Sequence, residues 1–184
     1  LDYGPFGFLD DYDPGFICNH SDYSGRYAFD RQPRIGRWNL SCLGQAMLPL
    51  FEGDPEAAAA QANAVLDEYE PHFNRHYAQG MRRKLGLDSR EESDHELLDD
   101  LLSLMQGSGI DYTNFFRALA DFDTATGANN SPLRDRFIDR HAFDSWAGRY
   151  AARLRRDGSE DADRRKAMNR VNPKYILRNY LAQQ

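Results

Sequence analysis

A chain of 184 residues with 23 Lys and Arg against 29 Asp and Glu carries a formal net charge of −6, which argues against a nucleic-acid partner and its basic footprint. Two cysteines, Cys18 and Cys42, are too few for a disulfide scaffold and fit a reducing, cytosol-like compartment. No apolar run reaches the roughly 20 residues of a bilayer-crossing helix, and no signal-peptide pattern is present.

Residues 1–33 read as a long irregular loop, punctuated by Gly4, Pro5, Gly7, Pro14, Gly15, Gly25 and Pro33, with room for a short hairpin or isolated bridges. Its aromatics Tyr3, Phe6, Phe8, Tyr12 and Phe16 argue against disorder, and long ordered loops are usually functional. From residue 34 to residue 184 the chain reads as helical, so the class is all-α after a functional loop.

Trp38, Leu40, Leu43, Met47 and Leu50 keep a helical period over residues 35–51, which places Cys42 in a core. Asp54 caps a second helix, with Pro55 at its first position and an alanine run behind it. Pro71 is expected to break or kink that helix, while Phe73, Tyr77, Met81 and Leu85 carry the stripe on to Gly86. Ser93 and Glu96 form a capping box for a helix with Leu97, Leu98, Leu101, Leu102 and Met105 on one face. Asp111 or Thr113 caps the helix of Phe115, Phe116 and Leu119. Residues 124–132 are loop-like, and helix resumes near Leu133. Asp144 is expected to cap a helix aligning Trp146, Tyr150 and Leu154, whose Arg153, Arg155 and Arg156 offset the helix dipole. A short helix covers residues 161–169. Asn172-Pro173 then opens a last one with Tyr175, Ile176, Tyr180 and Leu181.

Chemistry concentrates in the first loop. Asp2-Tyr3-Gly4 places one acid before an aromatic and a glycine, the pattern in which kinases hold Mg²⁺ against nucleotide phosphates. The plain alternative is an Asp-capped turn. Asp10, Asp11, Asp13 and Asp22 lack the calcium-loop pattern and read as turn formers and surface charge. Cys18 and His20 have no second pair at zinc spacing. Cys18 is either a reactive loop thiol or a small buried hydrophobe. Arg26, Asp30 and Arg31 are expected to form charge-assisted pairs that pin the loop to the helical body. The chain opens on Leu1 inside the acid-glycine motif and closes on Ala182-Gln183-Gln184 with no stop signal, which predicts a segment of a longer protein.

The strings Leu1-Asp2-Tyr3-Gly4-Pro5-Phe6-Gly7-Phe8-Leu9-Asp10 and Tyr12-Asp13-Pro14-Gly15-Phe16-Ile17-Cys18-Asn19-His20-Ser21-Asp22 closely resemble the selenoprotein O family. Gly25-Arg26-Tyr27-Ala28-Phe29-Asp30-Arg31-Gln32-Pro33, Asp111-Tyr112-Thr113-Asn114-Phe115-Phe116-Arg117 and the run from Asn172 to Gln184 extend the match. The resemblance implies the helical C-lobe of a protein-kinase-like, pseudokinase fold preceded by a metal and activation-like loop. It implies transfer of AMP from ATP to hydroxyl side chains of proteins, with Mg²⁺ or Mn²⁺ as cofactor. Asp2 then corresponds to the metal-binding and nucleotide-contacting acid. The catalytic proton acceptor and the other nucleotide contacts are expected upstream of Leu1, so no catalytic residue falls in this segment and the segment alone is expected to be inactive. Cys18 matches a cysteine available for a redox-regulatory disulfide with a C-terminal tail. ATP and protein substrates are the implied partners, with no nucleic acid and no membrane, in a bacterial cytoplasm or a eukaryotic mitochondrion. Phosphate transfer, or a non-catalytic helical interaction module, are the alternatives.

Overall fold

A computed structural model describes residues 7–19 and 21–182. Among these, regular structure is entirely helical, apart from one isolated antiparallel bridge between Asp11 and Asp111. The helices are α1 (Gln32–Met47), α2 (Pro55–Asp67), α3 (Tyr69–Lys84), α4 (Asp94–Ser108), α5 (Tyr112–Leu119), α6 (Ser131–Arg134), α7 (Arg140–Asp157), α8 (Asp161–Val171) and α9 (Asn179–Ala182). Short 3₁₀ turns at Phe29–Arg31 and Leu48–Leu50 flank α1. The chain divides into two units. One holds Pro14–Tyr77, the other Gly7–Asp13 with Ala78–Gln184, and the division falls inside α3.

In the first unit, Asp54 caps α2 by accepting from the backbone N–H groups of Glu56 and Ala57, and Pro55 takes the first helical position. The helix is interrupted ahead of Pro71 as expected: α2 ends at Asp67, whose carbonyl a proline four residues on cannot pair with and would clash with, and α3 starts at Tyr69, leaving Pro71 in its first turn, where a missing N–H costs nothing. Tyr69, Phe73 and Tyr77 then stack along α3 with ring centroids 6.2 and 5.9 Å apart. α1 packs on α2. Gly36 lets the two surfaces near it close, since a Cβ there would lie 2.6 Å from the Tyr69 hydroxyl. Among the described residues of this unit, α2 covers the apolar stripe of α1 only in part. Leu43 is 54% exposed, and Cys42 is exposed rather than part of a core.

The second unit carries the core. Leu97, Leu101, Leu102 and Met105 of α4 meet Phe143, Trp146, Tyr150 and Leu154 of α7, with Phe115, Phe116 and Leu119 of α5 closing the cluster. Fully burying each such side chain contributes about 1.5–3 kcal/mol. Polar tips are satisfied inside it: Trp146 Nε1 donates to the Leu97 carbonyl at 2.8 Å and the Tyr150 hydroxyl to the Leu85 carbonyl at 2.7 Å.

At α4, α7 and the last helix, caps and charges follow other residues than the sequence pattern predicts. Ser93 precedes α4 but its hydroxyl makes no capping bond. Asp94 instead accepts from the Glu91 N–H at 2.9 Å and pairs with Arg153 at 2.7 Å. α7 begins earlier than expected because Asp139, not Asp144, accepts from the Ala142 N–H at 2.9 Å. Arg153 is not a dipole-compensating surface cation. It is 2% exposed and held by Asp94 and Asp157. At the far end, helix begins only at Asn179. Asn172 is fully buried, with its side-chain amide bonding the Lys84 carbonyl at 3.0 Å, so it ends the α8 region instead of starting a helix.

Candidate functional site

Asp2 lies outside the described residues, as do Tyr3, Phe6 and His20. The described chain begins at residue 7, and the structure shows how residues 7–13 are held. In the second unit, residues 7–13 run against the α4–α5 turn and the segment leading into α9. The Tyr12 N–H donates to the Ile110 carbonyl at 2.9 Å, and the Tyr112 N–H donates to the Asp10 carbonyl at 2.8 Å. Gly109 makes this turn possible. It ends α4 at φ 59°, in the left-handed region. Tyr12 stacks on Tyr112, with centroids 5.6 Å apart and planes 24° apart, and packs against the core.

Side chains complete the attachment. Arg178 Nη1 lies 2.7 Å from Asp10 Oδ1 and 2.7 Å from Asp111 Oδ2. These two carboxylates, Asp111 first, hold the guanidinium's pKa above its ordinary value. Asp111 also caps α5 by accepting from the Asn114 N–H at 2.8 Å. Asn179 exchanges two bonds with the backbone of Phe8: the Phe8 N–H donates to Oδ1 at 2.8 Å, and Nδ2 donates to the Phe8 carbonyl at 2.9 Å.

In the first unit, Asp22 folds its loop by accepting from the N–H groups of Tyr27 at 2.7 Å and Arg26 at 2.9 Å. The Tyr27 bond leads in holding this carboxyl below its ordinary value. The Phe29 and Asp30 N–H groups return to the carbonyls of Phe16 and Pro14. Among the described residues, Arg26 and Arg31 form none of the expected ion pairs. Arg26 lies over the Trp38 ring at 4.1 Å, and Arg31 donates to the carbonyls of Ser24 and Gly25. Cys18 is half-buried, and among the described residues no disulfide forms.

Among the described residues no group of three His, Cys, Asp or Glu side chains is placed to hold a metal ion. The nearby acids are engaged elsewhere: Asp10 and Asp111 with Arg178, and Asp22 with backbone N–H groups. Asp2, which the sequence motif nominates as a metal ligand, is not among the described residues; a lone carboxylate suits Mg²⁺, which takes one or two carboxylates beside phosphate oxygens.

The strings that carried the family resemblance are far apart in sequence, yet their residues Asp10, Asp111, Arg178 and Asn179 meet at this one attachment. A family model described as Protein adenylyltransferase SelO matches residues 1–184. The chain belongs to the SelO family. It is 56% identical over 184 residues to a protein of Myxococcus xanthus named Protein nucleotidyltransferase YdiU, with all of this chain and 36% of that protein covered. Proteins of the same name from Pectobacterium atrosepticum and Cronobacter sakazakii are 54% and 51% identical over 183 residues, again with all of this chain and 36% of each relative covered. The chain thus spans about a third of the length of these SelO-family relatives. From sequence alone Asp10 reads as a turn former and surface charge and Arg178 and Asn179 carry no role, although both fall inside the dense C-terminal string.

Proposed function

We propose that this chain is part of a protein adenylyltransferase that transfers AMP from ATP to Ser, Thr or Tyr hydroxyls of proteins, on a protein-kinase-like fold whose helical lobe it supplies. The observation that carries the proposal is the match of the SelO family model to all of residues 1–184. The names of the relatives favour nucleotidyl over phosphoryl transfer. All three relatives are bacterial, which favours a cytoplasmic setting over a mitochondrial one.

Asp2 is the residue of this segment that would hold Mg²⁺. When bound, the ion neutralises the polyphosphate and favours attack at the α-phosphorus. The described residues contribute no reacting group. Their work is to fold the helical body and to attach residues 7–13 to it. One ligand cannot assemble a nucleotide site, so residues 1–184 alone are expected to bind ATP weakly and to transfer nothing. Cys18 keeps its expected redox-regulatory role as a proposal, with its partner elsewhere in the parent.

The test is Asp2→Ala in the full-length parent. Transfer of AMP, read by mass spectrometry on a target protein, is expected to vanish while helical content stays unchanged. Wild-type transfer by this variant would remove Asp2 from the site, and a phosphate-sized mass on the target would replace the reaction.

The interaction-module reading retains one supporting observation, an apolar groove of about 340 Å³ between α1 and α2, lined by Leu40, Leu43, Met47 and Val65. Of the loop aromatics among the described residues, Phe8, Tyr12 and Phe16 are half-buried and lend it little.

A further inference from the structure

We propose that the part of the parent chain outside residues 1–184 seats on α1 and on the groove between α1 and α2, completing a core that the first unit does not hold by itself. The inference goes beyond the adenylyltransferase reading and does not depend on which group the parent transfers.

The first unit lacks an interior. Among its described residues Ala28 alone is buried. Neither α1 nor α2 contains a buried residue. On α1, Trp38, Leu43 and Met47 are exposed, Val65 of α2 is 71% exposed, and Leu50, just past α1, is 78% exposed. The groove of about 340 Å³ between the two helices opens at Leu43, Met47 and Val65. Fully burying one such side chain contributes about 1.5–3 kcal/mol, whereas ordering the backbone costs about 1–2 kcal/mol per residue. A helical unit with almost nothing buried has too little of the first term to offset the second.

The sequence marks the same surface for burial. No residue from Trp38 to Phe51 is charged, nor any from Ala57 to Leu66, in a chain that is 28% charged. Solvent-facing surface carries about 25–35% charged residues. A charge-free run long enough to turn through every face of a helix therefore fits one that is covered on more than the side meeting its neighbour. Cys42 lies on α1 inside that run and is exposed. Two observations choose the occupant. Transient protein interfaces are about as apolar as ordinary surface, whereas permanent ones resemble a core cut in half, so depletion of charge this complete points to a permanent contact. This chain covers 36% of the length of its relatives, so most of the parent lies outside it. A covalently linked segment meets its seat at an effective concentration on the order of millimolar, which favours it over a second copy or a separate protein.

The experiment uses the purified full-length parent. Cys42 is alkylated with iodoacetamide under native conditions and its peptide quantified by mass spectrometry, with the urea-unfolded parent setting the unprotected rate. In the native monomer Cys42 is expected to react more than about tenfold slower, because a covered thiol is reached only through local opening. A second sample carries Val65→benzoylphenylalanine, a photo-crosslinking side chain. Light is expected to join it to peptides of the same molecule outside residues 1–184. If that variant does not fold, Leu50→benzoylphenylalanine replaces it, and the wild-type Cys42 rate decides by itself if neither folds. A native Cys42 that reacts within about tenfold of the unfolded rate overturns the proposal and leaves the groove open to a separate partner. Protection that appears only in a dimer overturns it, as do cross-links that join two copies or stay within residues 1–184. No readout is an activity, so loss or retention of AMP transfer bears on the adenylyltransferase reading and not on this interface.

Discussion

Arg153→Ala is expected to be among the most damaging single changes in the second unit. The guanidinium is 2% exposed. It donates to Asp94 Oδ1 at 2.7 Å and to the Ser89 carbonyl at 2.9 Å, and it lies 2.8 Å from Asp157 Oδ1. The Asp94 and Asp157 side chains are themselves 8% and 1% exposed. Removing the cation leaves the buried Asp94 carboxylate with the Glu91 N–H, and that of Asp157 with the Asp88 and Ser89 donors, but neither with a buried positive charge, a change worth about 3–5 kcal/mol. Arg149 provides the control. It makes an equally short 2.7 Å contact with Asp100, but both side chains are 51% exposed, so Arg149→Ala should cost no more than about 1 kcal/mol. The assay is urea unfolding followed by Trp146 fluorescence in a Trp38→Phe background, because Trp146 is fully buried against Tyr150 in this unit. A double-mutant cycle with Asp94→Ala should show coupling above about 1 kcal/mol. Equal costs for Arg153→Ala and Arg149→Ala would refute the argument that burial, not distance, sets the worth of these pairs.

Gly86→Ala should destabilise the same unit by more than about 1 kcal/mol, read by the same unfolding curve. Gly86 sits at φ 68° in a Schellman ending to α3, and a Cβ there would lie 2.7 Å from Met168 Sδ and Arg164 Cγ. Stability should also fall in acid. Burial raises the Asp157 and Asp161 carboxyls, but the Ser89 hydroxyl and Arg153 at the first, and the Thr124 N–H and Arg164 at the second, leave both below the ordinary 3.8. The folded chain thus binds these protons less readily than the unfolded one. Their contribution is complete above pH 3.8 and is lost as pH falls through the lower folded values, so the urea midpoint should drop there and Asp157→Asn should flatten that drop.

Helix existence was legible because it rests on local periodicity and capping. The stripe from Leu97 to Met105, the Asp54-Pro55 start and the Gly109 stop all stand where short-range chemistry puts them. The expected final helix was not legible. Asn179 bonds the backbone of Phe8 and Arg178 the carboxylate of Asp10, contacts some 170 residues away that no window on the sequence contains. Cys42 was misplaced for a related reason: a helical stripe records which face is apolar, not whether anything covers it.

The sequence by itself determined the family and the helical class of the described residues, since periodicity, caps and long matching strings are properties of contiguous residues. Only the tertiary structure decided which charges are buried and what fastens the first loop. Arg153 and Arg178 look like any other arginine until the fold removes water from one and brings two distant carboxylates to the other. Electrostatic worth depends on that desolvation and on that meeting, and neither is written in local order along the chain.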